Sequence, residues 1–197
     1  MPADLPEMLF ANSATWRSWL EDHHTDSPGV RLILSRKGGT VTALDYAGAL
    51  DEALCFGWID GQVGRRDSES FFQRFTRRGP RSIWSARNVE YVARLESTGR
   101  MRPGGRAAIE SAKANGRWEK AYEGPAKAEV PQDLIDAIAA VPEAQAMYDA
   151  LTSQNRYALF FRLSQLKTDA ARQRKIATFV DMLARHEAPH PQKRTPG

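Results

Sequence analysis

A single cysteine, Cys55, stands in the whole chain. One thiol excludes an internal disulfide framework and a multi-cysteine metal site, and it fits a reducing compartment. Long apolar runs are missing as well. No window approaches the roughly 20 consecutive apolar residues of a membrane-spanning helix, so no membrane insertion is expected. No basic region followed by an apolar run opens the chain, so no signal peptide is expected and the protein reads as cytoplasmic. Histidine is scarce, with four residues. The adjacent His23 and His24 would point apart on a helix and read as a solvated helix end. His186 and His190 fall in a polar, proline-rich end. The His-x3-His helical spacing is absent, so no metal or other cofactor is expected. No internal repeat is found.

What is present suits an ordinary soluble globule. The 197 residues are 42% hydrophobic and 26% charged, enough for one domain, or one domain with a small appendage, to bury a core without covalent staples. The charge is unevenly placed. Residues 62–106 hold eleven arginines, no lysine and four acids, a net +7 inside a chain whose formal charge is +4. Such a block either forms a solvated basic face or holds phosphate or carboxylate.

Periodicity and punctuation give the element order. Trp16, Trp19 and Leu20 recur at helical spacing after Ser13, a candidate cap. Val30 to Ser35 (VRLILS) reads as a strand, and Val41 as the start of a short second one. Leu50, Ala53 and Leu54 mark a helix from Asp45, with Gly57 as its left-handed C-terminal residue. The next segment is extended. Gly61 allows a bulge, Gly64 to Ser68 makes a hairpin connection, and Phe71 to Thr76 alternates with an aromatic on each face. Ser82 or Ser85 caps a helix ending at Gly99, and Pro103-Gly104-Gly105 opens another. Glu123 to Val130 (EGPAKAEV) is composed like a linker. Beyond Pro131, apolar stripes mark further helices up to Leu183. The expected fold is α+β, a small antiparallel sheet packed with helices and followed by a C-terminal helical module. The expected domains are residues 1–124, a linker at 125–130, the module at 131–186 and a flexible tail at 187–197.

The phrases EALCFGWIDG (52–61), QRFTRRGPRSIWSARN (73–88), GRM (99–101) and GRW (116–118), in that order, resemble the bacterial YdeI/OmpD-associated family. PQDL (131–134), Arg172, Arg174, Ile176 and VDML (180–183) resemble its helical end module. The resemblance runs over roughly residues 10–186. It implies a cytoplasmic bacterial protein linked to envelope stress and to protection from bacteriocins and antimicrobial peptides. It carries no catalytic residue or cofactor with it.

The residues themselves offer one better candidate site. The segment 73–88 presents Gln73, Arg74, Arg77 and Arg78, then Ser85 and Asn88 at a helix start, a combination suited to anions. Trp58 and Trp84 would wall it or plug the core beneath arginine stems. Asp60 is a lone carboxylate. It either acts as an acid or base, or ties the corner through backbone N–H groups or an arginine. Cys55, at a helix C-terminus among apolar neighbours, reads as packing. The first expectation is a non-enzymatic protein that binds an anionic small molecule or peptide carboxylate near the CFGWIDG corner. The alternatives are a small enzyme using Asp60, or an adaptor whose helical module docks a protein. Nucleic acid ranks last as a partner, because the glycine–aromatic order of base-stacking sheets is missing and Asp67, Glu69 and Glu90 dilute the field.

Overall fold

The computed structural model describes residues 5–122, 124 and 130–193. The chain divides into two compact units, Met1–Ala121 and Tyr122–Gly197. Most of the expected linker, residues 125–129, lies outside the described residues, as do residues 194–197 of the expected tail.

The first unit is α+β. Its elements are β1 (Glu7–Met8), α1 (Ser13–His23), β2 (Val30–Ser35), α2 (Tyr46–Cys55), β3 (Trp58–Arg65), β4 (Ser70–Arg77), α3 (Ala86–Ser97) and α4 (Pro103–Ala114). The sheet order is β1-β2-β4-β3. The three long strands pair antiparallel, as expected, while the short β1 adds to β2 in parallel. Val41 begins no strand; residues 36–45 form a loop. Asn12, not Ser13, caps α1, because its side chain and that of Thr15 satisfy each other's backbone N–H groups.

The core lies between the helices and one sheet face. Register places Val30 opposite Phe75 and Asp60 opposite Phe75, while Arg31 faces Arg74. Strand alternation therefore puts Phe71, Gln73 and Phe75 toward the helices, and Phe72, Arg74 and Thr76 on the outer face. Trp16 and Trp58 are fully buried. Each indole N–H finds a carbonyl, Ala49 for Trp16 and His24 for Trp58, both at 3.1 Å. Their apolar bodies thus fill the core without leaving a donor unsatisfied.

Gly57 answers to two constraints at once. Its φ of +78° is the left-handed conformation that ends α2, and a Cβ there would stand 2.6 Å from the Gly104 carbonyl oxygen. The first turn of α4 packs directly on this corner, where the Arg102 N–H donates to the Cys55 carbonyl at 3.0 Å.

The second unit is helical: α5 (Gln132–Ala139), α6 (Pro142–Ala150), α7 (Ser153–Ser164) and α8 (Asp169–Ala184). Leu134, Ile138, Met147, Leu159, Phe179 and Leu183 form its core. Pro142 sits in the first turn of α6, where a missing N–H does no harm. Thr152 caps α7, and Thr168 caps α8. A two-pronged ion pair between Arg172 and Asp133, both bonds at 2.7 Å, ties α8 to α5. Part of the expected tail is tied down. Buried Asn155 accepts from the His190 N–H at 2.8 Å, and its amide donates to the His190 carbonyl at 3.1 Å and to the Gln192 side chain at 2.7 Å.

Candidate anion-binding groove

The N-terminal unit contains a groove of about 360 Å³. Its floor is one face of α4, formed by Gly104, Ala107, Ala108 and Ser111. These positions fall at helical spacing, so small side chains run along one stripe for two turns. His24, Thr25, Phe56 and Gly57 close one end. Arg77, Arg78, Trp84 and Arg117 form the remaining wall, together with Gly79 and Pro80. Among the described residues, no aspartate or glutamate lines it.

The fold holds each arginine differently. Arg77, at the end of β4, donates to the Thr25 carbonyl just beyond α1. The next residue, Arg78, lays its guanidinium 3.6 Å from the centre of the Trp84 ring and donates to the Ile83 carbonyl at 3.0 Å. Such stacking contributes about 0.5–2 kcal/mol and fixes the plane of the cation. Arg117 follows α4 and turns back to the 79–84 loop, donating to the Ser82 carbonyl at 2.6 Å and to Asn115 Oδ1 at 2.6 Å. Carbonyl oxygens orient Arg77 and Arg117, and a carbonyl, unlike a carboxylate, does not cancel a guanidinium's charge. On His24, Nδ1 lies 2.9 Å from the Leu20 carbonyl oxygen, so this nitrogen carries the proton.

The structure sorts the nine sequence candidates. Arg77, Arg78 and Trp84 line the groove; the other six do not. Trp58 lies in the core beneath it. Asp60 accepts a 2.7 Å hydrogen bond from the Tyr46 hydroxyl, rather than from backbone N–H groups or an arginine. Burial, and then this bond, push the Tyr46 hydroxyl well above its ordinary range. Gln73 is buried, and its amide donates at 2.9 Å to the Gly61 carbonyl, at the bulge between Asp60 and Val63. Arg74 lies on the outer face of the sheet, away from Asp60 and Trp58. Asp60 and Arg74 thus lie on opposite faces of the sheet. The Ser85 hydroxyl accepts from the Asn88 N–H at 3.2 Å and caps α3 locally.

Other groove residues escape the sequence reading, Phe56, His24 and Arg117 among them. Phe56 lies within the quoted corner, but the chain gives no sign of which way its ring turns. His24 lies at the end of α1 yet is half-buried against Phe56, with ring centres 5.2 Å apart, and is not a solvated end. Arg117 sits inside the GRW phrase, but its contacts with Ser82 span 35 positions and leave no local signal.

Much of the basic block is neutralised elsewhere. Glu52, buried at 5% exposure, receives Arg17 at 2.6 Å and Arg100 at 2.7 Å. Asp51 receives Arg94 at 2.7 Å, and Glu21 receives Arg102 at 2.7 Å. The Arg102 hydrogen bond holds the Glu21 carboxyl below its usual range. Burial, followed by the nearby Glu52 charge, pushes the Cys55 thiol up, which suits packing rather than reactivity.

Residues 127–186 match the family described as Bacteriocin-protection, YdeI or OmpD-Associated. The match lies within the helical unit. That unit belongs to the YdeI/OmpD-associated family. Residues 8–108, half of the chain, match a second family, a domain of unknown function (DUF8412), to which the N-terminal unit belongs. The CFGWIDG corner and the 73–88 phrase, expected to carry the YdeI/OmpD-associated resemblance, thus fall in the span of the second family. Of the groove arginines, Arg77 and Arg78 lie inside that span and Arg117 beyond it. No curated protein and no solved structure matches the chain. Among the described residues, no helix is long and apolar enough to cross a membrane, and no cluster of histidine, cysteine, aspartate and glutamate is placed to hold a metal ion.

Proposed function

We propose that this member of the YdeI/OmpD-associated family is a cytoplasmic, non-enzymatic binding protein whose groove captures an anion. The observation that carries the reading is the lining: three arginines and a histidine, with no acid among the described residues. Concave walls of low polarizability focus such a field and raise the local concentration of anions. The guanidiniums are oriented in advance by carbonyl oxygens and an indole, which reduces the ordering cost of binding. A volume of about 360 Å³ suits a small molecule or a few peptide residues. The Tyr46–Asp60 pair is not part of this lining, so an acid–base role for Asp60 gains no support from the groove. On this reading, a contribution to bacteriocin protection would proceed through the captured anion.

Calorimetric titration with phosphate, acetate, succinate and short peptides with free carboxyl termini tests the proposal. Wild type should bind at least one of these at low salt. The Arg77→Ala/Arg117→Ala double variant, with an unchanged circular dichroism spectrum, should bind it at least about tenfold more weakly. Equal affinity in the two proteins would remove the groove as the site.

A further inference from the structure

The cationic groups of the groove are strung along its length rather than gathered at one end. From Gly104 to Ser111 the α4 floor covers seven residue steps, about 10 Å. At the Gly104 end, a Cβ added to that glycine would stand 3.2 Å from His24 Nε2, and the adjoining Thr25 carbonyl holds Arg77. At the Ser111 end, Arg117 Nη2 lies 3.5 Å from the Ser111 hydroxyl. Between them, the α4 floor offers only hydrogen and methyl groups.

We infer that the ligand is an elongated dianion, with two anionic groups about 10 Å apart joined by a slim spacer that lies along α4. This rests on the anion-binding reading and narrows its chemistry. A compact phosphate would meet one arginine-bearing end and leave the other hydrated. A linear dicarboxylate of about eight carbons spans the distance at roughly 1.2 Å per bond. Two glutamates two positions apart in an extended peptide share one face at roughly 6.6 Å, and their splayed side chains cover the rest of the distance. The narrow floor of Gly104, Ala107 and Ala108 disfavours a branched spacer.

The test is calorimetry on the full chain with suberate, suberic acid monoamide, succinate and the capped peptide acetyl-Glu-Ala-Glu-amide. Suberate should bind about tenfold more tightly than its monoamide and than succinate. Arg77→Ala should bring suberate down to the monoamide level while changing the monoamide by no more than about twofold. Arg77 is exposed, so its truncation leaves the core intact. Arg117→Ala should act in the same way from the other end. Tighter binding of the peptide than of suberate would identify an acidic peptide as the source of the dianion, and the reverse would identify a free dicarboxylate. Equal affinity for suberate and its monoamide would overturn the two-ended ligand while leaving the anion groove standing. Absence of binding by every anion, phosphate included, would remove both.

Discussion

Two sets of arginines in the N-terminal unit meet opposite fates. Arg17, Arg94, Arg100 and Arg102 converge on Asp51, Glu52 and Glu21, and their charge is balanced within the fold. Arg77, Arg78 and Arg117 instead donate to the carbonyls of Thr25, Ile83 and Ser82, beside a groove with no acid among its described lining residues. Composition cannot separate them, since six of the seven lie in or just beyond one basic stretch. Partner type separates them. A carboxylate turns an arginine into a strut, whereas a carbonyl aims it and leaves the field intact. The first set holds α1, α2 and the chain after α3 together. The second is the set to which the proposed function assigns the ligand.

The sharpest way to break this comparison is to remove the centre of the first set. Glu52→Ala leaves Arg17 and Arg100 without their buried carboxylate and should cost about 3 kcal/mol in urea unfolding. Anion affinity per folded molecule should stay unchanged. A loss of affinity equal to that of the groove variants would join the two sets into one.

Gly57→Ala probes the corner that the groove shares with α2. A methyl group there combines a φ of +78° with a 2.6 Å approach to the Gly104 oxygen, and should cost about 2 kcal/mol. Unlike Glu52→Ala, it should also weaken anion binding, because the α4 floor must shift. Thermal unfolding alongside calorimetry separates the two effects.

The smallest effect concerns pH. The Arg102 hydrogen bond depresses the Glu21 carboxyl. A folded value below the unfolded one means that this pair's stabilisation is present above the unfolded value, roughly 4.3, and is lost as pH falls through the folded value. Arg102→Ala should return the Glu21 midpoint toward the ordinary range in a carboxyl-detected NMR titration. Arg117→Ala should leave Glu21 where it is. Movement of Glu21 in the Arg117 variant would contradict the separation of the two sets.

Much of the fold was legible because its signals are local. The alternation of Phe71 to Thr76 and the position of Gly57 after an apolar helical stripe each follow from the conformation of a few adjacent residues. The cap of α1 fell one residue from its expected place because Asn12 and Ser13 are both good caps, and reciprocity with Thr15 decides between them. The two-residue β1 leaves too short a pattern to read. The groove was half legible. Arg77, Arg78 and Trp84 were recognisable as neighbours in sequence. Arg74 was misplaced because strand alternation sends it to the outer face, and Asp60 because its partner, Tyr46, lies 14 positions earlier. His24 and Arg117 join the groove only through packing of α1 and α4 against the 56–57 corner and the 79–84 loop, and no short window encodes that.

The most direct test of the central claim follows arginine side-chain NMR signals while phosphate or suberate is added to the wild-type chain at low salt. The Nε signals of Arg77 and Arg117 should shift and saturate together, while those of Arg94 and Arg100, held by Asp51 and Glu52, stay fixed. Equal movement of both sets, or movement of the carboxylate-bound set alone, would contradict the account.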